Sequence, residues 1–334
     1  LQKLFDKTQD AQVMNLVVET YLNEYQFVKA KKFIEWLPND LLLKLDPLLH
    51  LRVAFNSFSL SSQTVEQTLT TLVNNYQSNK QISNEDAAWY LGAIALMSKK
   101  YDKFFDISAS FTSKQHVQFA NKIKEIQDSI KTQMWIPDYY FDALISVELF
   151  NQWLFQPSKV LALEALAKNS SYILPYQVLW YANFLTNSWD TAAEYLKKLM
   201  DLDPNNAEKY RFLMWIAYYW DGKYEQSVVM LSLIKDDNLR LDAERYLIRD
   251  YLLLDQKNKL LSSWSKMLWY NDLVSTDFYT YFYETFYHPY SEWWTYQLYA
   301  FDRDLADKMI RVCYMRLPEE ERVVCSYWDI WKSI

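Results

Sequence analysis

Few side chains in this sequence have types and spacings that could carry chemistry. The histidines His50, His116 and His288 stand far apart, and none belongs to a paired metal motif such as H-E-x-x-H. No G-x-S-x-G elbow presents a serine nucleophile. With two glycines in the chain, neither a phosphate-cradling loop nor a dinucleotide fingerprint can be written. Cys313 and Cys325 have no histidine beside them in sequence to activate a thiolate. Paired carboxylates, Asp277 with Glu284 or Glu292 with Asp302, sit among the aromatics of Phe278 to Trp294. Such a pair could serve glycoside hydrolysis; the alternative is solvated charge on helix faces. The expectation is a chain without catalysis, cofactor or metal.

The two cysteines have a structural reading instead. Pro318 lies between them at an expected helix start, so they can occupy facing helices of one hairpin. Their axial offsets then differ by about one turn, which allows a Cys313–Cys325 disulfide in an oxidising compartment. Two buried thiols behaving as small apolar residues are the alternative.

Composition narrows the partners. The chain has 334 residues, 51% hydrophobic and 18% aromatic, enough to bury a large core. A net charge of −7 argues against a nucleic-acid surface, which needs clustered Lys and Arg. The run Lys29, Lys31 and Lys32 reads as a solvated helix face. No apolar run approaches the ~20 residues that span a bilayer. Because the sequence begins at Leu1, an upstream signal peptide, anchor or domain is expected.

The elements that must position these residues are helices. Apolar residues recur at helical spacing nearly everywhere, and strand alternation is almost absent. Roughly eighteen helices with short connections are expected. Ala192–Leu202 and Leu239–Leu254 read as amphipathic helices, and Asp203-Pro204-Asn205-Asn206 as the turn between two others. Ser83 and Asp86 form a capping box for a helix carrying Trp89 to Met97. The Asn-, Ser- and Gln-rich stretch Asn74–Asn84 reads as a loop. A boundary falls near Ile136-Pro137-Asp138, after a long polar helix from about Ser113.

Four helix pairs share a register. Leu91 and Gly92 open the first, with Tyr101 following and Phe104 twelve residues after the glycine. The second carries Tyr176, Leu179, Ala192, Leu196 and Pro204; the third Tyr218, Gly222, Tyr224 and Ser227; the fourth Tyr290, Ala306, Ile310 and Pro318. This spacing resembles the tetratricopeptide repeat (TPR) family, most specifically over Tyr176 to Leu231. The resemblance implies an all-α fold, a right-handed α-solenoid of antiparallel helix hairpins. Residues 1–137 would form a degenerate helical-repeat half, continuous with a TPR-like array over 138–334.

The resemblance also implies a function. Such arrays are non-catalytic protein-binding scaffolds that hold a peptide or partner protein along a concave groove. Tyr181, Tyr218 and Tyr219 are the groove candidates by helix position, with packing between hairpins as their alternative. No Lys/Asn/Arg set for a carboxylate clamp is evident. Two other roles remain open. One is a structural scaffold in bacterial envelope assembly, which an exported N-terminus and a bridged cysteine pair would fit. The other is a helical-toroid glycosidase, which shares the length and aromatic, acidic composition.

One departure recurs. The family's close-packing glycine position holds Trp180, Trp215 and Trp294, where an indole is expected to overpack the hairpin by roughly 1–3 kcal/mol. Average usage of ~7% would give about 23 glycines, yet the chain has two, beside fourteen tryptophans. One explanation is UGA codons meant as Gly and written as Trp; variant repeats with aromatic cores are the other. UGG triplets at these positions would exclude the first.

Overall fold

A computed structural model describes residues 1–60, 64–131, 137–256, 258–260, 262–263 and 319–321. Among them are sixteen α-helices and no strand. The chain divides into two compact units, Leu1–Tyr210 and Arg211–Ile334. The boundary read near 137 falls inside the first unit. Cys313, Cys325, His288, Trp294, both carboxylate pairs and the fourth repeat lie outside the described residues.

In the first unit α1 is Gln2–Thr8, α2 Ala11–Asn23, α3 Phe27–Trp36, α4 Asn39–Leu42 and α5 Pro47–Ser57. The next are α6 Val65–Ser78, α7 Asn84–Met97, α8 Tyr101–Ser108 and α9 Lys114–Lys131. After these come α10 Asp138–Asn151, α11 Phe155–Lys168, α12 Ile173–Leu185 and α13 Trp189–Leu202. Helix α14, Ala207–Trp220, begins in the first unit and enters the second, which also holds α15 Tyr224–Ser232 and α16 Asp237–Leu253. No helix among the described residues is long and apolar enough to cross a membrane.

Local signals set most helix ends. Ser83 caps α7: its Oγ accepts from the Asp86 amide at 3.0 Å and donates to the Asp86 carboxylate at 2.6 Å. Between α13 and α14, Asp203 Oδ2 accepts from Asn206 Nδ2 (2.8 Å) and Tyr210 OH (3.0 Å) around a 3-10 turn at Pro204–Asn206. The expected loop over Asn74–Asn84 is correct only in its second half. Asn74 to Ser78 continue α6, because Val73 and Tyr76 turn inward from an otherwise polar face.

Seven inter-helix turns share one geometry. At Tyr25, Lys80, Lys99, Trp153, Asn187, Gly222 and Asp255 the backbone is left-handed, with φ between 53° and 75°. The amide after each of them closes back onto a carbonyl five residues earlier, as Leu154 does onto Leu149 at 3.1 Å. This is the Schellman ending, which spares the last helical carbonyls and turns the chain at once into the next helix. Glycine suits the position best, but six of the seven carry a Cβ at a cost of roughly 1–2 kcal/mol each.

Apart from the short α4, which α3 passes over to pack on α5, consecutive helices from α1 to α13 pack on one another in the first unit. Helix α11 does more, packing also on α5 and α7. An array whose hairpins touch only their neighbours lacks such contacts. The link is specific: the amide of Phe155 donates to Asn56 Oδ1 at 2.8 Å, and Gln156 Nε2 donates to the Phe58 carbonyl at 3.0 Å. The Phe155 ring enters the core of α1–α5 beside Phe27. A second core joins α5–α11 around Phe55, Tyr90, Phe104 and Ile123.

The register glycine and its tryptophans behave differently. A Cβ at Gly92 would sit 3.4 Å from Phe104 and Phe111, so this glycine serves close approach of α7 and α8. Trp180 is half-buried and stacks on its neighbour Tyr181, with centroids 5.1 Å apart. Trp215 is buried against Tyr246 of α16 (4.0 Å, 29°), and its Nε1 finds no hydrogen-bond partner among the described residues. Both indoles have aromatic partners, which the expected overpacking of a hairpin did not foresee.

Candidate functional site

The first unit contains a cleft of about 420 Å³ where the α2–α3 turn, α5, α7 and the α10–α11 turn meet. Its mouth is aromatic. Tyr25 and Trp153 lie parallel, 5.5 Å apart and 3° between planes, and Trp153 is 57% exposed. Both sit at the left-handed turn positions that end α2 and α10.

The floor follows from the α5–α11 link. Asn56 is buried, with its oxygen on Phe155 and its Nδ2 donating to the Arg52 carbonyl at 3.0 Å. That fixes the turn of α5 carrying Arg52, whose exposed side chain lines the cleft. Trp89 of α7 forms another wall. The imidazole of His116 covers its ring at 4.3 Å and 8°, and Glu85 holds that imidazole through Nδ1 at 3.1 Å.

Glu85 also accepts from the amides of Thr112 (3.3 Å) and Ser113 (2.6 Å) and from the Thr112 hydroxyl. The Thr112 hydroxyl, then the Ser113 amide, pull its carboxyl down to about 2. A carboxylate from α7 thereby anchors the start of α9.

The electrostatics of the cleft are one-sided. Arg52 is the only charged residue lining it, and its guanidinium makes no ion pair or hydrogen bond among the described residues. Asp46 and Asp86 act on the nearby Tyr90 hydroxyl but do not line the cleft. Burial is the main force raising the Tyr90 phenol, and Arg52 opposes it.

Tyr181 adjoins this region. It is 44% exposed on α12, its ring 5.2 Å from Phe150, which in turn packs on Phe155 at 5.3 Å. The Tyr25 phenol is raised by burial and then by Tyr181. The other two groove candidates lie in the second unit. Tyr218 is half-buried on α14. Tyr219 is buried, against Trp215 and Tyr224 and under the Arg249 guanidinium at 4.5 Å from its centroid, so packing claims it. The sequence reading missed Tyr25, Arg52 and Trp153. Nothing in helical periodicity marks residues that meet through turns so far apart in the chain.

A larger cleft of about 520 Å³ lies between α3, α5 and α6. Its walls are mostly apolar, including Ile34, Val53 and Leu69. His50 borders it, but its Nδ1 is engaged by Tyr76 OH at 2.6 Å and burial lowers its pKa. Among the described residues no three His, Cys, Asp or Glu side chains converge where a metal could bind. No protein-family model matches the chain, and no curated protein matches it.

Proposed function

We propose that this chain is a non-catalytic binding scaffold, a TPR-like right-handed helical array that departs from nearest-neighbour stacking where α11 packs on α5 and α7, and that it holds an extended peptide of a partner protein. One observation carries the reading: the solvent-facing Tyr25–Trp153 stack at the mouth of a cleft with a polar floor. Large aromatic rings left exposed at a concavity are the residue types that anchor protein contacts, because they bury area at little entropic cost. Tyr181 extends the aromatic surface beside it.

Peptide display against the purified chain tests this. Sequences carrying an aromatic or large apolar residue should be enriched. Trp153→Gly, which suits the left-handed backbone, should lower their affinity about tenfold, roughly 1.4 kcal/mol. Absent enrichment, or enrichment that ignores both Trp153→Gly and Tyr25→Ala, would sink the reading.

A further inference from the structure

We infer that the cleft selects a peptide in which an aromatic residue is followed by an internal Asp or Glu, with Arg52 as the residue that reads the charge. The inference rests on the peptide-binding reading above and adds its specificity. Three observations combine. The cleft is walled by Trp89, Tyr25 and Trp153, which favour a flat ring. Arg52 is its only charged lining residue and makes no ion pair among the described residues; Asp46 and Asp86 stand near Tyr90 but outside the lining. The chain as a whole carries a net charge of −7, so a cation lining a cleft of aromatic rings without an ion-pair partner is a local site for an acidic group on a net-acidic molecule.

The chemistry suits a carboxylate. A guanidinium offers a planar pair of N–H donors that a carboxylate accepts side by side. Low-dielectric aromatic walls strengthen that pairing relative to open water. The polar neighbours Asn23 and Gln152 can satisfy peptide amides and carbonyls along the rim, and both are uncharged. A basic peptide would meet Arg52 with no compensating acid in the lining, so it is disfavoured.

The test uses the full chain and N-acetylated peptides read by tryptophan fluorescence and calorimetry. The set is Ser-Gly-Phe-Asp-Gly-Ser amide, its Phe-Asn and Phe-Lys counterparts, and Ser-Gly-Phe with a free C-terminal carboxylate. Wild type should bind the Phe-Asp peptide about tenfold or more tighter than the Phe-Asn peptide. The free-acid peptide, which lacks the acidic side chain beyond the ring, should bind no more tightly than Phe-Asn; a free acid that outbinds Phe-Asp overturns the inference. Arg52→Met and Arg52→Gln should erase the preference while keeping the weaker aromatic binding, and Arg52→Glu should turn it toward Phe-Lys. Circular dichroism checks each variant, and Arg52 is exposed, so folding should persist. Equal binding of Phe-Asp and Phe-Asn by wild type, or a preference that survives Arg52→Met, overturns the inference and leaves the scaffold reading standing. Failure of every aromatic peptide to bind removes both.

Discussion

Tyr25 and Trp153 lie with parallel rings, centroids 5.5 Å apart, at two helix-ending turns, each residue in the left-handed region at φ 56° and 63°. The contact joins the first helices to the α10–α11 pair and forms the cleft mouth. It also exacts a cost, since a side chain at such a position is strained where glycine is not. Trp153→Gly should therefore change stability little. Relief of roughly 1 kcal/mol opposes the loss of a stack worth about 0.5–1.5 kcal/mol. A double-mutant cycle with Tyr25→Leu, read by urea unfolding, should return a coupling in that range. A coupling of zero would show that the stack adds nothing to the fold and exists for another purpose.

The same geometry can be tested where no ring is at stake. Lys80 is exposed and left-handed at φ 56° in the turn between α6 and α7. Lys80→Gly removes the Cβ clash but frees the unfolded chain, so the net gain should be about 0.5–1 kcal/mol. Gly222→Ala, at φ 75° in open space, should cost a similar amount. If Lys80→Gly destabilises, the turn is not the strained ending described above.

Much of the fold was written locally. The capping pair Ser83 and Asp86, the Asp203-Pro204 turn and the long polar helix α9 all follow from side chains acting within one or two turns. The extension of α6 through Asn74–Ser78 was hidden because its outward face is entirely polar, and only Val73 and Tyr76 reveal the inner one. Trp215 could not be placed by register alone, since its partner Tyr246 comes from a helix beyond the hairpin. The cleft was least legible. Asn56 and Phe155 are 99 residues apart and joined by one hydrogen bond from the Phe155 amide, and no periodicity reports such a contact.

Lys159 predicts an unusual response to alkali. It is buried on α11 without a carboxylate, its Nζ donating to Asn183 Oδ1 at 3.0 Å and Thr186 Oγ1 at 2.9 Å. Burial lowers it from 10.5 to about 8. Below pH 8 the amine is charged in both folded and unfolded chains, and the full burial penalty is present. Between 8 and 10.5 only the unfolded chain binds the proton, so this group makes stability rise with pH by up to about 3 kcal/mol. Other groups titrate there too, so the comparison is wild type against Lys159→Met. From pH 7 to 10 the wild-type denaturant midpoint should rise relative to the variant's, because the variant lacks the step. Parallel curves would mean that Lys159 keeps its ordinary proton affinity.

Asp250 predicts the opposite slope in the second unit. It is fully buried on α16, with Oδ2 accepting from the Ser227 hydroxyl of α15 and Oδ1 unpartnered among the described residues. Burial raises its carboxyl from 3.8 to about 7, against the opposing pull of Ser227 and Arg249. Below pH 3.8 the proton is on in both states. As pH climbs from 4 to 7 the unfolded chain loses it first, so the folded unit gives up stability, by roughly 4 kcal/mol at most. Asp250→Asn holds the site neutral and should protect α15 and α16 by on the order of 2–4 kcal/mol at pH 8, with little effect at pH 4. Hydrogen exchange corrected for intrinsic rates reads this at the amides of those two helices. A benefit equal at both pH values would show that charge burial is not what Asp250 costs, and would leave its unpaired Oδ1 as the cause.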